Sequence, residues 1–574
     1  MLQGIDIYSL NLNDPQAPSW AAIRQAGFSF VFQKANEYQQ DSSFARRWPE
    51  FRANGLLRGA YYLPRPDTDN GFVKIDGQLD TYLQLCPRLL PGDFGPILDL
   101  EDRLLFPDDT KAQHNAGYWV SAAQRLLARM ETALGRQPII YTQRSWWTSY
   151  MNGAVGFDQY LLWVVDINHS TAPVLPASWS TWTWWQWHWE HSSSPMPPPF
   201  RQPTDVGVDL DYFNGTTYEL RGLADIGRPG VAFLGGSPAI AHSELDDHLH
   251  VLTAVGTAWT DSDLGQGALP GGGADPVLLE SAGALVLYFR SGDAVIEAMA
   301  TAATSWVWQA TDLTLASTVK PVHDPRAVID GDKRYVAYWG DDDWHLLTYD
   351  GGWSSVGVLR DAHLGASSGP PAVYVRDGLP HVAGRIDADG HLWEVWPDLA
   401  GGWKAEDATG AAIAIDPATP AATYTPCACQ TSGGLLLAFR AVGGELWLID
   451  RTNNAPTNLT AAAGAVRGVG HPTSFVLNDV PHIVYRGIDG VIYELSRAGA
   501  GWQTQAICPD KMAADPVATT DGTNAAVAVR APDGMIHLAT FDGSAWACGA
   551  TAMAAPTQPG TPAPDDGGAG NPVA

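Results

Sequence analysis

The sequence predicts two unlike bodies in one chain: an irregular (β/α) TIM-like barrel followed by an all-β seven-bladed propeller. Three observations carry this. Strand and helix signals alternate five times in the first 225 residues, the pattern of a parallel sheet that closes on itself. Helical signals vanish from about residue 230, where short strands alternate with Gly/Asp turns. Those strands also repeat. Trp259, Trp306, Trp353 and Trp403 close successive units 47, 47 and 50 residues apart, the period of a four-stranded blade, with a solenoid as the alternative. The expected limits are 1–225 for the barrel, 230–550 for the propeller and 551–574 for a disordered tail rich in Pro, Gly and Ala.

In the first part, strands are expected at Ile5–Tyr8, Phe28–Lys34, Leu57–Leu63, Gly95–Asp102, Pro138–Thr142 and Tyr160–Val165. Helices are expected at Trp20–Ala26, Ser43–Ala53, Gly71–Leu85 and Ala112–Leu134, where the apolar period is 3.6 and Gly27, Asn54-Gly55 and Gly135 supply stops. Thr181–Trp189 and Val206–Leu210 read as two last strands with no helix between them, and Ser192–Pro199 as the loop that joins them.

The totals bound the rest. A chain of 574 residues is too long for one core. With 45% hydrophobic and 17% charged residues it is a folded protein. A net charge of −28 repels a phosphate backbone, so nucleic acid is not an expected partner. No stretch is long and apolar enough for a membrane helix, so no membrane insertion is expected. Met1-Leu2-Gln3 runs straight into the first strand without a basic or apolar leader. On that reading the protein is cytoplasmic until lysis or an injection machine delivers it. Five cysteines make no even disulfide framework, and Cys427-Ala428-Cys429 has no metal spacing. Cys508 and Cys548, near two blade ends, are expected to stay unpaired.

The chemistry centres on Gly95-Pro96-Ile97-Leu98-Asp99-Leu100-Glu101-Asp102. Side chains alternate along a strand, so Asp99 and Glu101 point to one side and Leu98 and Leu100 to the other. Two carboxyls held that close repel when both are charged, which leaves an acid beside a base, the equipment for cleaving a glycosidic bond. A solvated acidic strand end has the same spacing. What separates the two readings is company: Asp6, Lys34, Glu37, Asp99, Glu101 and Asp209 are all expected at the C-terminal ends of different strands, where such barrels place their sites. Of the 24 Trp, Trp182, Trp184, Trp185, Trp187 and Trp189 fall on both faces of one strand, and core and barrel wall account for most of them. Lys34, Glu37, Tyr61, Tyr62, Tyr141, Trp163, Trp185 and Trp187 are the candidate substrate-binding residues. No His/Asp/Glu set in the barrel has metal-ligand spacing, His188 reads as structural, and neither metal nor cofactor is expected.

These segments carry a resemblance. Gly4-Ile5-Asp6-Ile7-Tyr8-Ser9, Phe30-Val31-Phe32-Gln33-Lys34-Ala35-Asn36-Glu37, Gly59-Ala60-Tyr61-Tyr62-Leu63-Pro64-Arg65-Pro66 and Pro96-Ile97-Leu98-Asp99-Leu100-Glu101 follow one another. Then come Pro138-Ile139-Ile140-Tyr141-Thr142, Trp185-Gln186-Trp187 and Val208-Asp209-Leu210-Asp211-Tyr212-Phe213. Over residues 2–222 this order resembles the family 25 glycoside hydrolases, muramidases that cut peptidoglycan between N-acetylmuramic acid and N-acetylglucosamine. The resemblance implies that Glu101 is the general acid, that Asp99 orients the acetamido group or stabilises the oxocarbenium-like centre, and that Asp6 and Asp209 complete the cluster. It implies peptidoglycan glycan strands as the partner, with the retaining or inverting outcome left open. Tyr62 stands where the family commonly has His and Asn36 where it commonly has Thr, departures that bear on substrate preference and rate.

The second half repeats a unit clearest at Pro481–Leu495, with Tyr485-Arg486, an Asp489-Gly490 hairpin, Glu494-Leu495 and a closing Trp502. It recurs around Arg385, Glu394 and Trp403, around Arg290, Glu297 and Trp306, and again through Trp259, Trp353, Arg440 and Arg530 with Trp546. This motif resembles tectonin-like and related bacterial seven-bladed propeller lectins, which implies a glycan ligand, with a protein partner as the other possibility. Arg486 and Glu494 either pair within a blade or meet a sugar between blades. The leading expectation is a peptidoglycan hydrolase targeted by its propeller; the alternatives are a lectin with a non-catalytic barrel and an assembly component whose blades bind protein.

Overall fold

The computed structural model describes every residue except 13–16, 67–70, 102–113, 170, 190–196, 201–207, 246–247, 256–257, 266–274, 302–306, 318, 342, 368 and 552–574. The expected loop Ser192–Pro199 therefore falls mostly, and the tail almost wholly, outside the described residues.

Strands β1 (Leu2–Ile7), β2 (Phe28–Asn36), β3 (Leu57–Tyr62), β4 (Ile97–Leu100), β5 (Ile139–Thr142), β6 (Leu161–Val165), β7 (Trp184–His188) and β8 (Asp209–Phe213) close into one barrel in chain order. The first seven run parallel. β8 runs antiparallel to both of its neighbours, β7 and β1. The barrel is thus not the uniform parallel type. The last strand spans Asp209–Phe213 rather than Val206–Leu210, because its ladder to β1 pairs Asp6 with Asp209 and Leu2 with Phe213. Helices α1 (Trp20–Gln25), α2 (Phe44–Ala53), α3 (Val73–Leu85), α4 (Ala116–Leu134), α5 (Arg144–Tyr150) and α6 (Thr217–Leu223) pack outside. α5 has no counterpart in the sequence reading. α4 begins where the Asn115 side chain accepts the Tyr118 amide and stops at Gly135, in the left-handed region at φ 67°.

Alternation sorts each strand onto two faces. Phe30, Phe32, Tyr61, Ile97, Ile139, Tyr141, Trp163, Trp184 and Phe213 fill the interior with Phe94. Tyr62, Leu98, Leu100, Ile140, Leu162, Val164 and Trp185 point outward under α3, α4 and α5. Gly4 and Gly59 make room for the interior rings: a Cβ at Gly4 would lie 2.2 Å from the Phe30 ring, and one at Gly59 2.7 Å from Phe32.

The second body is seven four-stranded antiparallel sheets, each built from consecutive strands: 230–263, 277–312, 326–357, 372–407, 422–458, 468–508 and 517–550. Trp353, Trp403 and Trp546 begin the outermost strands of their blades, and Trp259 and Trp502 occupy second positions there. Trp306 lies outside the described residues. In the fifth blade Ala455–Asn458 takes the place of the missing Trp. The ring closes without exchanging a strand. Arg530 of the seventh blade reaches the first, donating to Ser243 O at 2.6 Å and pairing with Glu244 at 3.2 Å. Tyr218 of α6 also donates to Glu244, at 2.9 Å, so the barrel covers the seam.

Two expectations are corrected here. Cys508 and Cys548 form a disulfide with Cα atoms 5.5 Å apart. They sit on the outermost strands of the successive blades six and seven, which stand side by side in the ring. Arg486 does not pair with Glu494: it binds Asp515 at 3.0 Å, whereas Glu494 binds His482 at 2.6 Å.

The barrel meets the propeller through its base, the end where the parallel strands begin. Gly222 of α6 abuts Ala513 so closely that a Cβ would lie 1.8 Å from its carbonyl oxygen. Arg136, just ahead of β5, holds Asp225 at 2.8 Å, and His471 of blade six lies 3.3 Å from the same carboxylate. Arg385 donates to the carbonyls of Thr132 and Ala133 at the end of α4. Arg440 donates to Gly468 O at 2.9 Å and Thr423 Oγ1 at 2.8 Å, and its third nitrogen lies 2.9 Å from Glu131 of α4. Both side chains of that last pair are at most 1% exposed. The opposite end of the barrel, where the parallel strands finish, points away from the propeller. Removing one partner of a buried pair strands the other charge. We expect Arg440→Met to cost about 3–5 kcal/mol in chemical unfolding of the full chain, and Arg440→Met with Glu131→Leu to recover most of it.

Candidate active site

Three strands bring the acids together. Asp6 lies one residue from the end of β1, and Asp99 lies in β4 with Glu101 just beyond it. Asp209 starts β8 and Asp211 follows two residues later on the same face. Because β8 is antiparallel, Asp209 reaches the mouth from a strand's beginning, not from the C-terminal end the sequence suggested. The ladder sets Asp6 directly opposite Asp209 and Asp99 beside Tyr141. Asp6 is 8% exposed, Asp99 3% and Asp211 fully buried; Asp209 and Glu101 are half-buried.

Burial, then Asp209, Asp211, Glu101 and Asp99 in turn, push the Asp6 carboxyl well above its ordinary value. Burial pushes Asp211 up to about 7, against hydrogen bonds from Trp163 and Asp6 that favour its charged form. The same acids, after burial, raise the phenols of Tyr61 and Tyr141. The floor is aromatic and hydrogen-bonded: Trp163 Nε1 donates to Asp211 Oδ1 at 2.8 Å, Tyr141 to Gln186 Oε1 at 2.7 Å and Tyr61 to Ile7 O at 3.3 Å. Trp163 packs against Tyr141 with ring centroids 4.4 Å apart, and against Phe32 at the same separation.

Residues 5–195 match the profile of Glycosyl hydrolases family 25. The uncharacterized protein YegX of Escherichia coli K12 is 30% identical over 209 residues, 36% of this chain and 67% of that protein. The chain belongs to glycosyl hydrolase family 25. Lysozyme M1 of Streptomyces globisporus is 28% identical over 243 residues, 39% of this chain and 71% of that protein. The solved bacterial lysozyme of Streptomyces coelicolor is 24% identical, with 39% of this chain and 97% of that chain covered and a TM-score of 0.33. As a member of that family the protein is a glycoside hydrolase.

Within the family 25 barrel, Asp6, Asp99, Glu101, Asp209, Tyr61, Tyr141 and Trp163 gather at one mouth. Lys34 borders it, 5.0 Å from the Tyr8 ring and 5.8 Å from that of Tyr61. Glu37 stands apart from the acids, 3.3 Å from Lys34 and 2.6 Å from Arg65. Three expected sugar-binding residues face the other way. Tyr62 donates to Ile75 O at 2.8 Å under α3. Trp185 is buried in the outer layer and donates to Asp166 O at 2.8 Å. Trp187 stacks on Tyr212 with centroids 5.1 Å apart and 11° between planes. Period-two alternation puts them there, on the face opposite Gln186. Asn36 and Tyr62, the two departures from the family pattern, both bond Gln78 of α3. Asp211 and Gln186 are the residues sequence reasoning missed. The signal was present in Asp209-Leu210-Asp211, which repeats the spacing of Asp99-Leu100-Glu101.

Among the described residues, two groups elsewhere, Asp225/His471/Asp515 and Asp389/His391/Asp407, have ligand atoms close enough for a metal ion. In the first, Arg136 and Arg486 already engage the carboxylates.

Crowding these acids destabilises the folded barrel as pH rises. A carboxyl whose folded pKa lies above its unfolded value contributes stability below the unfolded pKa and loses it as pH climbs through the folded one. We expect Asp209→Asn to stabilise the protein at pH 7 by about 0.2–1 kcal/mol, the scale of a like-charged cross-strand pair, and the gain to vanish near pH 4 in thermal melts.

Proposed function

We infer that the chain is a peptidoglycan hydrolase, an N-acetylmuramidase that cleaves the β-1,4 bond between N-acetylmuramic acid and N-acetylglucosamine. The observation that carries the reading is the convergence of Asp6, Asp99, Glu101, Asp209 and Asp211 on one mouth, above a closed aromatic floor. Glu101, the half-buried member of the β4 pair, protonates the leaving glycosidic oxygen as the C–O bond breaks. The positive charge that grows on the sugar ring is stabilised by Asp99 and its neighbouring carboxylates. Water then adds hydroxide to the anomeric carbon and its proton restores the acid. Tyr61, Tyr141 and Trp163 wall the cleft and limit water at its base.

For the propeller we infer glycan targeting. The supporting observation is a cluster between blades two and three. Arg334 lies 2.9 Å from Glu297, with its guanidinium 3.9 Å from the Tyr349 ring and 5.4 Å from that of half-buried Trp353. A cation, a carboxylate and two ring faces in one place are the groups that recognise a sugar. The corresponding Glu394 and Glu494 are enclosed in networks with Arg451 and His381, and with His482, Gln505 and Trp546.

Glu101→Gln, which keeps shape and removes the transferable proton, is expected to lower peptidoglycan hydrolysis on the order of 10²–10⁴-fold. Mass analysis of the wild-type products is expected to find reducing ends on muramic acid; intact cell wall would refute the enzyme reading. With hydrolysis blocked by Glu101→Gln, adding Arg334→Ala is expected to release the full chain from insoluble cell wall in a sedimentation assay. Unchanged retention would move the propeller to a protein partner.

A further inference from the structure

Two buried oxygens on the floor of the acid cluster have no hydrogen-bond donor among the described residues: Oδ2 of Asp6 and Oδ2 of Asp211. The other Asp211 oxygen is committed to the Trp163 indole at 2.8 Å. Across the β1–β8 ladder Asp211 sits one inward-facing step below Asp6 on the same face, close enough that a hydrogen bond from Asp6 favours its charged form. Two carboxylates can bond only through a proton, and a single proton satisfies both orphaned oxygens.

The surroundings favour keeping it. Asp209 from β8, Asp99 from β4 and Glu101 beyond it face Asp6, and all add negative charge. Tyr61 from β3 and Tyr141 from β5 face the same space as neutral phenols, and β6 and β7 supply the uncharged Trp163 and Gln186. Among the described residues, the cation at the border of the cluster, Lys34 of β2, is paired with Glu37. The ladder places Asp211 opposite Gly4, one step deeper than Asp6 and beyond contact with solvent.

We propose that Asp211 is a positioning residue: it accepts a single proton held by Asp6 and, keyed by the Trp163 indole, fixes Asp6 in its neutral form at the base of the cleft. The inference rests on the muramidase reading. A neutral Asp6 leaves the negative charge of the cleft to the carboxylates nearer the mouth and takes no part in proton transfer to the leaving group.

The test is Asp211→Asn in the full chain, an isosteric change whose carbonyl still accepts from Trp163 and whose amide donates to Asp6, so that Asp6 no longer needs a proton. We expect kcat to fall at least tenfold with KM within twofold. We also expect the decline of wild-type kcat/KM through the neutral pH range to be absent from the variant. A folded variant with wild-type kcat and pH profile would overturn the proposal. Should Asp211→Asn not fold, Trp163→Phe removes the indole donor while keeping a smaller aromatic ring in the floor. It is expected to carry the alkaline limb to higher pH, and an unmoved limb would overturn the proposal equally. Thermal melts make the test independent of activity. Asp211→Asn is expected to gain Tm relative to wild type between pH 5 and pH 7, where the native pair alone retains the proton, and a constant difference would count against sharing. If Glu101→Gln is inactive and Asp211→Asn behaves as wild type, this inference alone fails. If Glu101→Gln retains activity, the muramidase reading fails and the melts still decide the shared proton.

Discussion

Repulsion among carboxyls held on fixed backbone is the constraint from which the barrel's other features follow. Asp6 and Asp209 face each other across a ladder that cannot slip, because a one-residue shift of β8 would turn its inward Phe213, Asp211 and Asp209 to the other face. Burial and hydrogen bonds shape the cluster, and among the described residues the nearby cations Arg65 and Lys34 are both engaged with Glu37. Neutral groups line the space beneath. The aromatic interior keeps water from screening the acids from below, which is why burial leads among the causes that shift Asp6 and Asp211.

Most of this was legible in the residues. Alternation within Ile97-Leu98-Asp99-Leu100 assigned Ile97 to the interior and Leu98 and Leu100 to the outer layer, where they lie, because β4 is regular over that run. The seven blades were legible because their hairpins are local and their period survives even where Trp is missing. What escaped was long-range. The reversed direction of β8 depends on its pairing with β1, some two hundred residues earlier in the chain, and nothing in Val208–Phe213 specifies the partner. Trp185 and Trp187 attracted attention for their chemistry, yet period two had already committed them to the outer layer once Gln186 faced in. The Cys508–Cys548 bond joins outer strands that meet only after blades six and seven stand side by side.

The arginines that recur at the ends of the second strands show how a repeat is reused. By sequence each looked like one more copy of a blade motif. In the fold Arg385 and Arg440 face the barrel, Arg486 binds Asp515 at the start of the next blade, and Arg530 ties the last blade to the first. Position in the ring, not the motif itself, decides what each guanidinium touches. Arg334, from a different position in its blade, lies at a blade boundary among rings, and the targeting role proposed for the propeller rests on that difference.

The seam between blades one and seven has a consequence for how the chain is made. Every blade is a run of neighbouring hairpins, so six of them can form as they leave the ribosome, yet the circle stays an open horseshoe until the seventh arrives. Arg530 then snaps onto Glu244, beside a Tyr218 that was synthesised with the barrel long before. The first-made body thus serves as the mould on which the last-made blade is seated. A ribosome that stalled short of residue 517 would release a horseshoe with two bare rims, open to pairing with another of its kind.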